Sequence, residues 1–329
     1  MSDETLMAAL QARAARVQAL WGLTTAPELI NYRENAVFRV RLGDGSPAAL
    51  RLHRPGYHTR AVLQSELDWM AALARAGIAV PTSIATLDGA LLVDVAADAD
   101  LPAQHVDLVS WMAGHPIGRS GQPLGMVPAQ LEQVFQTLGQ TMAQLHNASS
   151  DWTAPPQFQR PAWDAEGLLG EAPFWGRFWD CPGLSADQSR YFTALRLRLQ
   201  QALAQMPELG FGLIHADLVR ENVLMQGDQL QIIDFDDCGW GWHLFDIATA
   251  LLKNRREPEF PLIQSALIAG YRTQRDLPDS HLRHLPLFLT LRALTYIGWA
   301  GSRLHEAETQ ARMARFIAEA EALARQGGF

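Results

Sequence analysis

Residues 212–246, GLIHADLVRENVLMQGDQLQIIDFDDCGWGWHLFD, read as a strand, a short loop, a second strand and a polar, aromatic loop. Leu213 and Ile214 close an apolar run, and His215-Ala216-Asp217 follow it directly. Asn222 stands five residues after Asp217 and immediately before the apolar Val223-Leu224-Met225. Gln226-Gly227-Asp228 has the composition of a turn, and Leu230-Gln231-Ile232-Ile233 is a second strand that delivers Asp234 at its end. The unit therefore spaces one candidate base, Asp217, and two candidate metal ligands, Asn222 and Asp234. Moving a phosphoryl group needs such a set: one carboxylate to orient a hydroxyl, and an amide oxygen with a second carboxylate to hold Mg2+ against phosphates. His215, Asp217 and His243 offer a different set, the ligands of a hydrolytic metal. That set leaves Asn222 without a task and lacks the tight spacing of such ligands on one helix face.

The order Asp, four residues, Asn, then an apolar strand ending in Asp-Phe resembles the catalytic loop and metal-binding aspartate of the protein-kinase-like fold. Here the second motif is Asp234-Phe235-Asp236 rather than Asp-Phe-Gly. With His215-Ala216-Asp217 before it and Asp246-Ile247-Ala248 after it, the chain resembles the aminoglycoside phosphotransferase and choline kinase superfamily, which includes type II homoserine kinases. The resemblance implies an α+β, bilobal protein-kinase-like fold. Residues 1–112 would form an antiparallel-sheet nucleotide lobe, and residues 113–329 a mainly helical lobe with the catalytic loop and acceptor site. It also implies ATP and Mg2+, with Asp217 as base, His215 and Arg220 beside it in the catalytic loop, and Asn222 and Asp234 on the metal. Asp246 would hydrogen-bond the loop backbone as a scaffold. A protein Ser/Thr kinase would use the same residues, and a non-catalytic nucleotide-binding scaffold would share the fold. Asp234 and Asp246 are only twelve residues apart, which leaves no activation segment and favours a small acceptor. Retention of Asp217, Asn222 and Asp234 together favours catalysis.

Composition narrows the field further. A chain of 329 residues with 48% hydrophobic content can bury one large or two medium cores. The formal net charge is -8 and there is no long basic run, so a nucleic-acid-binding surface is not expected. Cys181 and Cys238 are too few for a disulfide framework, and neither a signal peptide nor an apolar bilayer-spanning segment is visible. A cytoplasmic protein is the expectation. Of the 27 basic residues only Lys253 is a lysine, and it follows the catalytic unit.

Ahead of that unit, residues 3–20 carry Leu6, Leu10 and Val17 at helical spacing. Phe38, Val40 and Leu42 alternate with Arg39 and Arg41, and Gly43-Asp44-Gly45 turns the chain into Ala49-Leu50-Arg51-Leu52, a hairpin. By the resemblance, the turn at Glu34-Asn35-Ala36 covers the nucleotide phosphates without the glycines of protein kinases. Ala49 and Arg51 share a strand face and match the small residue and phosphate-contacting lysine of the family, with arginine in the lysine's place. Thr59 to Ala76 is a helix with Leu63, Leu67, Met70 and Ala74 on one stripe and Gly77 as its stop. Its Glu66 would pair with Arg51. Val80-Pro81 and the Asp88-Gly89 turn mark further strands of the same sheet. Val106 to Met112 is a last strand, and the resemblance places the adenine beside Val109, Trp111 and Met112.

The remaining segments are helical apart from a Trp-, Pro- and Gly-rich stretch over 151–184. Helices are expected over 128–146, 185–206, 259–275, 281–304 and 306–325. Asp236-Asp237-Cys238-Gly239-Trp240-Gly241-Trp242-His243 is expected as a loop beside the metal. Its carboxylates Asp236 and Asp237, followed by Trp240 and Trp242, would receive a small hydroxyl compound carrying a positive charge. Homoserine, choline or ethanolamine, a sugar and an aminoglycoside remain open as acceptors.

Overall fold

Alternation of apolar and polar residues builds the first sheet. In a computed structural model that describes residues 3–32, 35–304 and 306–329, the chain packs as two compact units. The first comprises 1–115 with 152–160 and 231–236 added, so two later segments join it across the expected boundary at 112. Helix α1 (Asp3–Val17) precedes β1 (Glu28–Tyr32), β2 (Ala36–Arg41) and β3 (Pro47–Leu52). Helix α2 (Arg60–Arg75) follows, then β4 (Leu92–Val95) and β5 (Gln104–Ser110). The five strands form one antiparallel sheet in the order β1-β2-β3-β5-β4.

Phe38 and Val40 of β2, Leu50 and Leu52 of β3, and Val106 and Leu108 of β5 point to one face, where Leu10, Ala14 and Val17 of α1 cover them. Truncating the fully buried Phe38 to Ala would cost about 3–5 kcal/mol by the usual cavity cost. Helix α2 starts where Thr59 accepts the Val62 N–H, and ends before Gly77, whose φ of 85° suits a residue without a side chain.

Two expectations about this sheet need correction. Val80-Pro81 is not in a strand; the segment after it makes only an isolated bridge, Ser83 to Val109, because a proline lacks the N–H that a ladder needs. The fifth strand is β1 instead, which its mixed pattern of residues concealed. Glu34, the first residue of the expected phosphate-covering turn, lies outside the described residues, as does Arg33 before it.

The second unit comprises 116–151, 161–230 and 237–329. A two-residue strand β6 (His115–Pro116) leads toward α3 (Pro128–Asp151), five residues longer than expected. The Trp-rich stretch contains only β7 (Ala162–Trp163) and α4 (Ala165–Leu169). Helix α5 (Ala186–Ala204) opens with a capping box between Ser185 and Gln188. Strand β8 (Phe211–Ile214) enters the decisive stretch; β9 (Val223–Gln226) and β10 (Gln229–Ile232) form its hairpin, turning at Gly227 with φ 60°. Strand β11 (Gly239–Trp242) then pairs with β7 in parallel and β8 in antiparallel fashion. The expected loop over 236–243 is therefore half strand. Gly239 and Gly241 permit it: a Cβ there would lie 2.2 Å from the Pro161 carbonyl oxygen or 2.4 Å from Ile214 Cδ1. Helices α6 (His243–Leu252), α7 (Phe260–Arg272), α8 (Asp279–Leu282), α9 (Leu285–Gly301) and α10 (Ala307–Gln326) complete the chain. Among the described residues no helix is long and apolar enough to cross a membrane.

Candidate active site

In the first unit the strand register places Arg51 of β3 directly opposite Asp107 of β5. Arg51 Nε and Nη2 donate to the two Asp107 oxygens at 2.7 and 2.6 Å, and Nη1 donates to Glu66 Oε1 on α2 at 2.7 Å. His53 Nε2 lies 3.0 Å from Asp107 Oδ2, and Arg160 Nη1 lies 3.7 Å from Glu66 Oε2. Both carboxylates are fully buried. Burial alone would raise their pKa values, but Arg51 foremost, with His53 and, at Glu66, Arg160, holds both below the usual carboxylate range. Burial likewise opposes the charge on Arg51, and the two carboxylates outweigh it. Arg51 and the two carboxylates are therefore held in their charged forms. Asp107 and Arg160 were not singled out in the sequence; a lone carboxylate inside the apolar run VDLV was the available signal.

The Asp234-Phe235-Asp236 motif is pinned in the same unit. Phe235 is fully buried with its ring edge-on to Trp69, and Arg160 donates to the carbonyl oxygens of Phe235 and Asp236. Asp234 is exposed and has a φ of 68°, a left-handed conformation that Asp adopts more readily than most residues but still at a cost. Asp236 turns inward. Its Oδ1 accepts from Asn35 Nδ2 at 3.2 Å, its carbonyl lies 2.9 Å from His58 Nε2, and its exposure is 5%. Asn35 Oδ1 in turn accepts the Arg54 N–H. Asp236 is thus committed to Asn35 and His58, a correction to its assignment as an acceptor ligand.

Along β5, Val109 is buried and faces Ala49. The half-buried Trp111 lies past the strand end with the Arg39 guanidinium 4.4 Å from its ring centre, and Met112 is half-buried beside it.

In the second unit the loop that follows β8 is held from beneath by Asp246. Its buried carboxylate accepts the N–H of His215 at 2.9 Å and of Ala216 at 2.7 Å. These bonds hold Ala216 at a φ of 64°, which bends the chain sharply before Asp217. Asp217 N donates to His215 Nδ1 at 3.3 Å, and His215 itself is fully buried, so it positions the loop and does not reach a substrate. Asp217 retains 21% side-chain exposure. Asn222 Nδ2 donates to the carbonyl oxygen and to Oδ2 of Asp217, both at 2.9 Å, and Arg292 Nη2 donates to Oδ1 at 2.5 Å.

Arg220 neither faces solvent nor supplies charge to a substrate. It is buried, with Nε on Asn254 Oδ1, Nη1 on the Gln122 carbonyl and Nη2 on Glu257 Oε1, so packing has committed each nitrogen. The hydrolytic-metal set also fails. His215 supports the Asp217 backbone, and His243 stacks on His146 with ring centres 4.2 Å apart. Among the described residues no group of three or more His, Cys, Asp or Glu side chains is arranged to hold a metal.

The two stacked histidines carry a testable consequence. Burial, with Arg275 adding repulsion, pulls His146 from 6.5 to about 3; burial, His146 and Arg275 pull His243 to about 2. Both folded values lie below the unfolded one, so their contribution to stability is full above pH 6.5 and declines as pH falls toward 3. Urea unfolding should therefore show stability falling by about 1.4 kcal/mol per histidine per pH unit below that point. A flat profile across mildly acidic pH would mean that the rings are not held neutral.

Around Asp217 the aromatic residues differ from those expected. Trp175 Nε1 donates to Asp237 Oδ1 at 3.1 Å, and Trp163 Nε1 donates to the Asp237 carbonyl at 2.9 Å. Trp242 packs edge-on against Phe211 and Phe288, and Trp240 is 37% exposed on β11. Trp175 and Tyr296 instead enclose the Arg292 guanidinium, at 4.5 and 4.7 Å. Arg292 is the one charged residue in the apolar helix α9, a signal the sequence carried without indicating its partner.

The description "Phosphotransferase enzyme family" (APH) fits residues 29–282 of the chain. A solved microcompartment-associated aminopropanol kinase is 33% identical, with 96% of each chain covered and a TM-score of 0.82. The amicoumacin kinase hAmiN, solved in complex with AMP-PNP, Ca2+ and Ami, is 22% identical, with 98% of this chain and 96% of that one covered and a TM-score of 0.78. Homoserine kinase of Chelativorans sp. (strain BNC1) is 28% identical over 245 residues, 72% of this chain and 68% of the relative. Mixed helices and antiparallel strands, a protein-kinase-like arrangement shared with these structures, and a family match over most of its length place the chain in the APH phosphotransferase family as an enzyme of the small-molecule kinase type.

Proposed function

We propose that the protein transfers the γ-phosphoryl group of ATP to a hydroxyl of a small molecule. The observation that carries this reading is the Asp217 carboxylate, partly exposed and fixed by Asn222 and Arg292 above a backbone bend that Asp246 holds in place. Asp217 accepts a hydrogen bond from the acceptor hydroxyl and takes its proton as the O–P bond forms; ADP leaves with the electrons of the broken bond. Transfer of this kind depends on positioning and charge neutralisation more than on covalent chemistry. Arg51 makes three of the five bonds its guanidinium can donate, which leaves two N–H groups for phosphate oxygens.

Mg2+ fits the oxygen donors present. Asn222 spends its amide nitrogen on Asp217, which turns its oxygen away as a ligand, and Asp234 is an exposed carboxylate. Few protein ligands suffice for Mg2+, which keeps waters and phosphate oxygens in its shell. Asn222 and Asp234 would hold the ion, and its charge would neutralise the nucleotide phosphates. Nucleotide binding measured by calorimetry should therefore depend on Mg2+ and weaken in Asp234→Ala; unchanged affinity in that variant, with metal present, would remove Asp234 from this role.

The acceptor is small and carries an amine. Strand β11 is stitched between β7 and β8, so no extended segment after Asp234 is available to dock a protein substrate. Asp237, whose Oδ1 accepts from Trp175 Nε1, is the carboxylate assigned to the ammonium. Relatives named for aminopropanol and homoserine, both amine-bearing alcohols, support this. ADP release across amino alcohols, hydroxy amino acids, aminoglycosides and neutral sugars tests the reading; preference for a neutral sugar, unaffected by Asp237→Asn, would overturn the amine.

A further inference from the structure

Arg292 is more cation than Asp217 requires. Its side chain is fully buried in the middle of α9, where every other residue is uncharged. Only Nη2 is used, donating to Asp217 Oδ1 at 2.5 Å and to Tyr296 Oη at 3.0 Å. Nε and Nη1 are buried and make no hydrogen bond among the described residues. Leaving such donors unpaired in the interior is costly, more so on a charged group, so a buried guanidinium with idle donors is incomplete without an occupant. Trp175 and Tyr296 fix its plane, and Phe245 lies 5.7 Å from its carbon.

A second cation lies at the same ring. Lys253, the sole lysine of the chain, follows the last residue of α6 with Nζ 3.5 Å from the Tyr296 ring centre, and among the described residues its ammonium makes no hydrogen bond or ion pair. The Tyr296 and Phe316 rings pack against it, and the carboxylates of Glu319, Asp217 and Glu221 act on its charge from further off without bonding to it. Burial pulls its pKa down to about 8, and the Arg292 charge adds to that effect. Two cations held by one aromatic ring repel each other. Asp217 offsets part of that repulsion and is itself shared with Asn222.

Resting on the reading of Asp217 as the residue that orients the acceptor hydroxyl, we propose that Arg292 and Lys253 form a subsite for a carboxylate on the acceptor. The acceptor is then a hydroxy acid, and with Asp237 receiving an amine it is a hydroxy amino acid. Because Arg292 touches Asp217 directly, the carboxylate and the reacting hydroxyl belong to one small molecule. A guanidinium edge suits a carboxylate, which accepts from two N–H groups at once, and the enclosing rings strengthen that pairing by excluding water. The transferred phosphoryl group is the other oxyanion that passes Asp217, and the experiment separates the two.

Equilibrium binding is measured by calorimetry in the presence of Mg2+ and a non-hydrolysable ATP analogue. The probes are homoserine and 4-hydroxybutanoate, against 3-aminopropan-1-ol and homoserine amide, which lack the carboxylate. Homoserine should bind at least about tenfold more tightly than either of its matched partners, 3-aminopropan-1-ol and homoserine amide, a difference of about 1.4 kcal/mol, and 4-hydroxybutanoate should bind measurably without an amine. Lys253→Met should remove that preference while the analogues without a carboxylate keep their affinity, and Arg292→Gln should remove the preference as well. Lys253→Met is the decisive variant, since Arg292→Gln also disturbs Asp217. Equal binding of acids and amino alcohols, no binding by either acid, or equal weakening of both classes in Lys253→Met overturns the subsite. Weakened nucleotide binding with unchanged acid preference also overturns it and assigns the pair to the phosphoryl group. Turnover of an amino alcohol that Asp217→Asn abolishes, without any preference for acids, refutes the carboxylate site alone; turnover that survives Asp217→Asn refutes the base.

Discussion

Asp217→Asn should lower turnover by about 10²–10⁴-fold, the usual contribution of a positioned acid–base group, with ATP binding retained. The substitution keeps the shape of the side chain and removes its negative charge. Two donors converge on that carboxylate, Asn222 Nδ2 on Oδ2 and Arg292 Nη2 on Oδ1. An asparagine offers an oxygen to one of them and an NH2 group to the other, so one donor loses its acceptor. Arg292 also loses its ion-pair partner while fully buried. A stability loss of about 1–3 kcal/mol should therefore accompany the loss of turnover. Thermal unfolding separates the effects: at a temperature where the variant is folded, turnover should still be down by the stated factor. A folded Asp217→Asn enzyme with more than about a tenth of the original turnover would show that no base is needed from this residue.

Arg51→Ala is expected to act on folding and on nucleotide binding together. Asp107 and Glu66 are both fully buried, and Arg51 supplies three of the hydrogen bonds that keep them ionised. Without it, Arg160 at 3.7 Å from Glu66 is the guanidinium that remains, with the His53 ring 3.0 Å from Asp107. Breaking a buried pair by removing one partner typically costs about 3–5 kcal/mol, because the other charge is left uncompensated. ATP affinity in the folded fraction should fall more than about tenfold. Arg51→Lys should recover the Glu66 pair but not the two-pronged bond to Asp107, since an ammonium has no planar fork. A triple variant, Arg51→Met with Glu66→Gln and Asp107→Asn, removes the stranded charges; it should regain much of the stability and none of the nucleotide affinity. Full ATP affinity in Arg51→Ala would show that another residue contacts the phosphates.

Local spacing made much of this molecule legible. The apolar periodicity of α2, α3, α5 and α7, the hairpin of β2 and β3, and the strand, loop, strand unit around Asp217 and Asn222 all depend on residues close in sequence, whose geometry is set by helical or strand period. The Arg51 to Glu66 pair was accessible only through resemblance, since both are polar residues in segments whose relative placement spacing does not encode. Packing decided the rest. Asp107 meets Arg51 because the β3 to β5 register places them opposite each other, and a shift of one residue would turn Asp107 to the apolar face. Asp236 turns toward Asn35, 201 positions away, and so leaves the acceptor side that its neighbourhood in sequence suggested. Arg292 reaches Asp217 across 75 positions, from a helix whose pattern signals only burial. Sequence by itself determined the order of the candidate site residues and the elements that carry them. Tertiary structure alone decided which charges face each other, because a charge in a buried element acquires its partner from register and helix packing, over distances that local periodicity cannot carry.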